Sequence, residues 1–318
     1  ADGERRAASH RVRADLLVGL SSVLEREGRH RDKLPILREA LGEAVASGAV
    51  DVLAHVHLLL GNTYGDLGEG AAVDHLERAL DLFESTGNIW GVASARNNLG
   101  VEAYYAGDWS SSAEHYAAAA EGYRRLGDEP NHAMTLNNIG EIDSDRGRFE
   151  EALAELNDAR RMWVAAGFTL GVGLASSNLG RLAARQGRFE EAETEFDRAR
   201  ETFERIDARG FLLELDGRVA EAMVASGHAE DAMALAERTL RQGDELQPTV
   251  RCQLLRTIAL AHAGLGRIDQ ARGQLQAAVI LAESALAPFE TAACEAAATT
   301  IDKIAQGGRP WSTLHCAT

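Results

Sequence analysis

The chain has 318 residues, of which 45% are hydrophobic but only 5% aromatic, and five are proline. Ala and Leu therefore carry the apolar content, which suits closely packed helices and makes an all-α protein the first expectation. A formal net charge of -16, with a pI near 5.1, repels phosphate backbones and anionic lipid, so nucleic acid and membrane surfaces are poor candidate partners.

The first residues, ADGERRAASHRVR, lack the apolar stretch of a secretory signal, and no run of about twenty apolar residues follows. The chain opens on Ala1 instead of Met, as expected of a fragment of a longer protein, with a processed or engineered start as the alternative. Cys252, Cys294 and Cys316 are widely separated without any CxxC, which argues against a disulfide framework or zinc knuckle and favours a reducing, cytoplasmic compartment.

Glycines expected to end helices recur at Gly28, Gly68, Gly107, Gly147, Gly187, Gly227 and Gly266, with spacings of 40, 39, 40, 40, 40 and 39. Seven units follow, near 9–48, 49–88, 89–128, 129–168, 169–208, 209–246 and 247–286. Two further series keep the same period, Gly61, Gly100, Gly140 and Gly180, then Ala79, Ala119, Ala159 and Ala199. Within a unit the apolar positions recur at helical spacing: Ala152, Leu156, Ala159 and Trp163 follow Gly147, and Ala192, Phe196, Ala199 and Phe203 follow Gly187. Each unit thus reads as two helices. The GDW and GRF turns use Gly to end the first, and Glu150-Glu151 or Glu190-Glu191 place negative charge near the start of the second, so these carboxylate pairs mark helix starts and not catalytic dyads. Trp109, Phe149 and Phe189 share one repeat position and are expected to pack as core staples. Residues 287–306 read as one more helix capping the stack, and 307–318 as a flexible tail.

Motifs for chemistry are missing. A phosphate-binding loop needs Gly-Lys-Ser/Thr, yet Lys33 and Lys303, the two lysines of the chain, both follow Asp. No GxSxG, no HExxH and no GxGxxG after a strand pattern occurs. His55 and His57, two apart, point to different helix faces. The chain is expected to be no enzyme and to need no metal or cofactor.

The segments NNLG…AGDWSSSAEHYAAA and SNLG…QGRFEEAETEFDRA resemble tetratricopeptide (TPR) repeats, stretched from the usual length of about 34 residues to 40. The likeness is strongest over 89–207. It implies a right-handed superhelical solenoid of about seven helical hairpins plus a C-terminal capping helix. Gly100, Gly140 and Gly180 match the small residues where paired helices touch; Ala220 and Ala259 depart from that pattern, and Asp143 falls where the family packs an apolar group. The texture also resembles the TPR segments that follow ATPase or nucleotide-cyclase domains in large actinobacterial regulators.

In TPR proteins the first helix of each hairpin lines the concave surface. One helical face there carries Ser94, Asn98, Val101 and Tyr105, the next Met134, Asn138, Glu141 and Asp145, the third Leu174, Asn178, Arg181 and Arg185. A side-chain amide offers donor and acceptor together, the complement of an extended peptide backbone. Asn98, Asn138 and Asn178 are thus candidate rungs for a peptide, with Asn97 and Asn137 weaker candidates. Beside them Glu141 and Asp145 favour a basic group, Arg181 and Arg185, joined by Arg218, favour a carboxylate, and Tyr105 completes the set. Equally, each Asn suits a purely geometric role, bonding the adjacent helix. The expectation is a protein- or peptide-binding scaffold in the cytoplasm, either the regulatory or docking arm of a larger signalling protein or a stand-alone sensor of a short peptide. Its partner is a protein, a peptide or another domain of its parent chain, and homo-oligomerisation stays open.

Overall fold

The computed structural model describes residues 2–26, 29–68, 70–242, 246–285 and 287–307. Among them the regular structure is entirely α-helical, with no strand, in fifteen helices forming an all-α solenoid of successive hairpins. In order these are α1 (Asp2–Arg26), α2 (His30–Ser47), α3 (Val50–Asp66), α4 (Ala72–Thr86), α5 (Ile89–Tyr105), α6 (Trp109–Leu126), α7 (Glu129–Asp145), α8 (Phe149–Ala166), α9 (Thr169–Arg185), α10 (Phe189–Arg205), α11 (Arg209–Ala225), α12 (Ala229–Leu240), α13 (Pro248–Gly264), α14 (Ile268–Ser284) and α15 (Pro288–Ala305). Gly28, and the expected tail apart from Gly307, lie outside the described residues.

The first helices of the hairpins end as the glycine series predicts. Gly107, Gly147, Gly187, Gly227 and Gly266 all adopt the left-handed backbone, φ between 73° and 88°, which a side chain disfavours. A second such series, Gly48, Gly87, Gly127 and Gly167, ends the second helices, and at the next repeat Asp207 takes its place with φ 53°. The following helix starts are acidic or capped: Asp108 accepts from the Ser111 amide at 3.0 Å, while Glu150-Glu151 and Glu190-Glu191 fill the first turns of α8 and α10.

The helices sort into two compact units. Unit 1 comprises Ala1–Tyr104 and Asp108–Thr135; unit 2 comprises Tyr105–Gly107 and Leu136–Thr318. In unit 1, α1, α2 and α3 enclose Ala14, Leu37, Ala40, Ala44, Val56 and Leu60, and α3, α4 and α5 enclose Leu58, Leu76, Ala79, Phe83 and Ala95. In unit 2, the faces anticipated from spacing are buried, Ala152, Leu156, Ala159 and Trp163 on α8 and Ala192, Phe196, Ala199 and Phe203 on α10.

Close approach within each hairpin requires glycine. A Cβ at Gly61 or Gly100 in unit 1 would sit 2.6 Å from Leu76 or 2.7 Å from Tyr116; at Gly140 or Gly180 in unit 2 it would meet Leu156 at 2.8 Å or Phe196 at 2.6 Å. The departure at Ala220 is absorbed across the hairpin, because Ala236 stands sixteen residues on, where Leu156 and Phe196 stand in the earlier repeats, and both alanines are fully buried. The departure at Asp143 is absorbed by polar partners. Its buried carboxylate receives a hydrogen bond from Arg148 and pairs with Glu155 on α8. Burial and the neighbouring Asp143 push Glu155 up to about 8, so Glu155 keeps its proton at neutral pH.

Candidate functional site

The first helices of consecutive hairpins carry equivalent positions 39 or 40 residues apart, so side chains at one repeat position, or about one helical turn off it, meet across neighbouring helices. In unit 1 this meeting is between neutral amides. Asn98 donates to Asn62 at 2.5 Å and accepts from Asn97 at 3.0 Å, all three half-buried. Asn62 was not among the sequence candidates because it follows its contact glycine by one residue, whereas Asn98 precedes Gly100 by two.

In unit 2 the same rows hold charges. Arg181 on α9 donates to Glu141 at 3.1 Å and to Asp145 at 2.8 Å on α7, and Arg185 donates to the same Asp145 oxygen. From α11, Arg218 donates to Asn178 and to Ser177 at 3.1 Å, to Glu141 at 3.3 Å and to Glu214 at 2.9 Å. Asn178 in turn donates to Asn137 at 3.1 Å. One connected network therefore spans α7, α9 and α11. A second follows it on α11, α13 and α15, where Arg256 pairs with Glu221 at 2.6 Å and with Glu290, and Gln253 donates to Glu221 at 2.9 Å.

This geometry corrects the sequence reading in two respects. Glu141 with Asp145 and Arg181 with Arg185 do not stand as two separate selectors, because the forty-residue offset makes each set the partner of the other. The second-position amides are also not equivalent. Asn178 is only 6% exposed and held at both ends, whereas Asn98 and Asn138 are half-buried and likewise partnered. Asn137 and Ser177, at the neighbouring position, belong to the network, and Glu214, Glu221, Arg256 and Glu290 join the set that sequence reasoning did not single out.

The electrostatics follow from who faces whom. Asp145 is 2% exposed and buried between two guanidinium groups. Tyr105 has half its surface in solvent, yet desolvation of its phenol, followed by Glu141 and Glu214, pushes its pKa up against the opposing pull of Arg218. Desolvation would raise Glu221, but the charge and hydrogen bond of Arg256, with the Gln253 hydrogen bond and Arg181, together outweigh it and hold the carboxylate low; at Glu290 burial wins over the same arginine. Arg181 adds a smaller lowering pull on both, which couples the two networks electrically. What solvent can reach is a mosaic: the edges of Glu141, Arg181 and Arg185, more of Glu214, and half of Tyr105. Such a surface presents exchangeable ion-pair partners and an aromatic face. It offers no activated nucleophile: burial pushes Cys252 up to about 12 and raises Cys294 as well, and Cys316 lies outside the described residues.

Elsewhere in unit 1, His57 and His75 approach Nδ1 to Nδ1 at 2.9 Å, His75 stacks on Tyr64, and Arg38 donates to the Tyr64 hydroxyl. Burial, then His75 and Arg78, bring His57 down to about 4. Among the described residues no group of three or more His, Cys, Asp or Glu side chains is placed to hold a metal ion, and no helix is long and apolar enough to cross a membrane.

Two family profiles, each described as tetratricopeptide repeat, match residues 91–163 and 174–206. The sequence matches no curated protein. Similar solved structures include aspartyl phosphate phosphatase F from Bacillus subtilis (10% identity, TM-score 0.68, covering 86% of this chain and 71% of that one). NprR in complex with its cognate peptide NprX is also similar (12%, 0.66, 93% and 84%). A third is a signal transduction ATPase with numerous domains carrying a tetratricopeptide repeat sensor, from Pyrococcus horikoshii (16%, 0.57, 87% of this chain but only 43% of that one). At these identities the likeness is one of fold.

Proposed function

Because the chain belongs to the tetratricopeptide-repeat superfamily, we propose that it is a non-enzymatic scaffold whose groove, lined by α7, α9 and α11 of unit 2, binds an extended peptide or a segment of a partner domain. The observation that carries this reading is the exposed mosaic of Tyr105, Glu141, Arg181, Arg185 and Glu214 over a fully paired floor of Asp145, Asn178 and Arg218. A floor held in place by its own bonds does not have to be ordered on binding, and that lowers the entropic cost of association. Edges left in solvent supply the exchangeable partners. Asn178 acts here as a positioning group for Arg218, and Tyr105 with Arg185 touch the ligand. The repeat sensor of the Pyrococcus horikoshii ATPase supports placing the chain as the docking or regulatory arm of a larger signalling protein.

A second reading, a stand-alone sensor of a short signalling peptide, draws on NprR having been solved with its cognate peptide. A parent reading frame that continues upstream into a nucleotide-binding domain favours the first, and one that supplies a DNA-binding helix pair favours the second. Selection of a random peptide display library on the chain tests what both share. Enriched sequences are expected to lose binding about tenfold or more to Tyr105→Ala and Arg185→Glu while helicity is retained. Enrichment that ignores both substitutions would remove the groove from consideration.

A further inference from the structure

The wall of unit 2 holds two carboxylates that its own arginines leave half used. Glu141 on α7 and Glu214 on α11 accept from one and the same nitrogen, Nη2 of Arg218, at 3.3 Å and 2.9 Å. The contact with Glu141 passes over α9, and side chains two hairpins apart meet only on the inner side of a curved stack. Both carboxylates accept through Oε1, and at Glu141 that atom also takes Nη1 of Arg181 at 3.1 Å. Among the described residues nothing donates to Oε2 of either one. Arg218 keeps no such reserve on its terminal nitrogens, because Nη1 donates to Ser177 and Asn178. Solvent therefore meets unused acceptors here, on side chains 23% and 39% exposed. Over both networks the carboxylates Glu141, Asp145, Glu214, Glu221 and Glu290 outnumber the guanidinium groups Arg181, Arg185, Arg218 and Arg256 by one.

Resting on the reading that this groove binds a peptide, we infer that it takes a basic side chain of that peptide here, between Oε2 of Glu141 and Oε2 of Glu214 and against the ring of Tyr105. Tyr105 has half its surface in solvent and stands within the field of both carboxylates: desolvation first, then Glu141 and Glu214, push its phenol up against the pull of Arg218. An aromatic face beside unfilled carboxylate oxygens attracts a cation through the ring and through charge-assisted hydrogen bonds at once. Arginine suits the place better than lysine. Its planar fork carries donors on two edges, so one guanidinium serves two carboxylates and stacks as well, whereas an ammonium is a single point charge. An acidic side chain would have to displace Glu141 or Glu214 from Arg218, leaving like charges together in a partly desolvated site. Donors left over lie instead at Arg185, one helical turn beyond the row of Glu141 and Arg181, where among the described residues only Nη1 is bonded, to Asp145.

Positional libraries of short acetylated and amidated peptides test this, with one position at a time fixed as arginine, lysine, citrulline or glutamate and the rest mixed. Binding to the full chain is read by fluorescence anisotropy. At one position or more the arginine pool is expected to bind about tenfold tighter than the pool of citrulline, its neutral isostere, with lysine between them. Glu214→Gln should cut that preference to about threefold or less. Glu214→Arg should pass it to the glutamate pool. Glu201→Gln removes the same charge from the exposed side of α10 and should leave the preference intact, which separates a local subsite from the pull of a chain of net charge -16 on any cation. Circular dichroism of all three variants is expected to match the wild type. Pools that bind without telling arginine from citrulline would overturn the subsite and leave the groove standing. A preference that survives Glu214→Gln, or falls as far with Glu201→Gln, would do the same. Failure of every pool to bind would remove the groove and the subsite with it.

Discussion

The two units use one helical repeat to hold opposite kinds of inner wall. In unit 1 the rungs are amides, Asn62, Asn97 and Asn98, each a neutral donor and acceptor that settles for one or two bonds. In unit 2 the equivalent rows are Glu141, Asp145, Arg181, Arg185, Arg218, Glu221 and Arg256, several of them nearly shut off from water. An amide that loses its partner leaves a modest deficit, whereas a buried charge that loses its partner leaves a large one. Unit 2 is therefore the more specified wall and the more fragile one.

The sharpest way to break this contrast is to remove a charge from the middle of the second network. Arg256→Ala leaves the buried Glu290 facing Glu221, whose side chain is a third exposed, and is expected to cost about 3 kcal/mol in urea unfolding of the full chain. Expected next is Asn178→Ala, at about 1–3 kcal/mol, since Arg218 and Asn137 both lose a partner, against about 1 kcal/mol for Asn98→Ala in unit 1. Equal costs for the two asparagines would mean that the walls do not differ as described.

Acid and alkali should separate the units further, because His57 in unit 1 and Glu155 in unit 2 are shifted in opposite senses. His57, held near 4 when folded against an unfolded value of 6.5, binds fewer protons in the native state, so its contribution is present above 6.5 and lost as pH falls toward 4. Glu155, raised to about 8 from 4.5, binds more protons when folded, so its contribution is present below 4.5 and lost as pH rises through 8. Each effect is about 1 kcal/mol once solvent screening of these partly exposed groups is discounted. Amide hydrogen exchange, corrected for its intrinsic pH dependence, is expected to show α3 and α4 loosening below pH 6 and α7 and α8 loosening above pH 7. Glu155→Gln should abolish the second trend. The smallest expected change sharpens the repeat itself: Asp207→Gly relieves the left-handed backbone at the one non-glycine that adopts a positive φ among the described residues, raising stability by about 0.5–1 kcal/mol. A loss of stability there would point to a role for the carboxylate.

The fold was legible because its constraints are local and periodic. Gly100, Gly140 and Gly180 touch Tyr116, Leu156 and Phe196 at a fixed offset of sixteen residues, and any such pairing repeats down the sequence. The wall residues were visible for the same reason, yet their state was not. That Glu141 and Arg181 neutralise each other is implied by their separation of forty, but it emerges only when neighbouring first helices are set side by side in register. The contact of Arg256 with Glu290 had no such signal, because α15 stands outside the repeat and the 39-residue spacing before Gly266 displaces the rows. Asn62 escaped because it occupies a different register from Asn98. The Asp143–Glu155 pair was seen as half of itself, an acid in an apolar position, since the approach of Glu155 from α8 leaves no mark in a sequence.

The central claim is that the charged wall of unit 2 is where a ligand lies, and hydrogen exchange with and without a peptide enriched by display addresses it most directly. Slowed exchange in α7, α9 and α11, with α3 and α4 unchanged, is the predicted result. Protection confined to other helices, or none at concentrations that saturate binding, would contradict it.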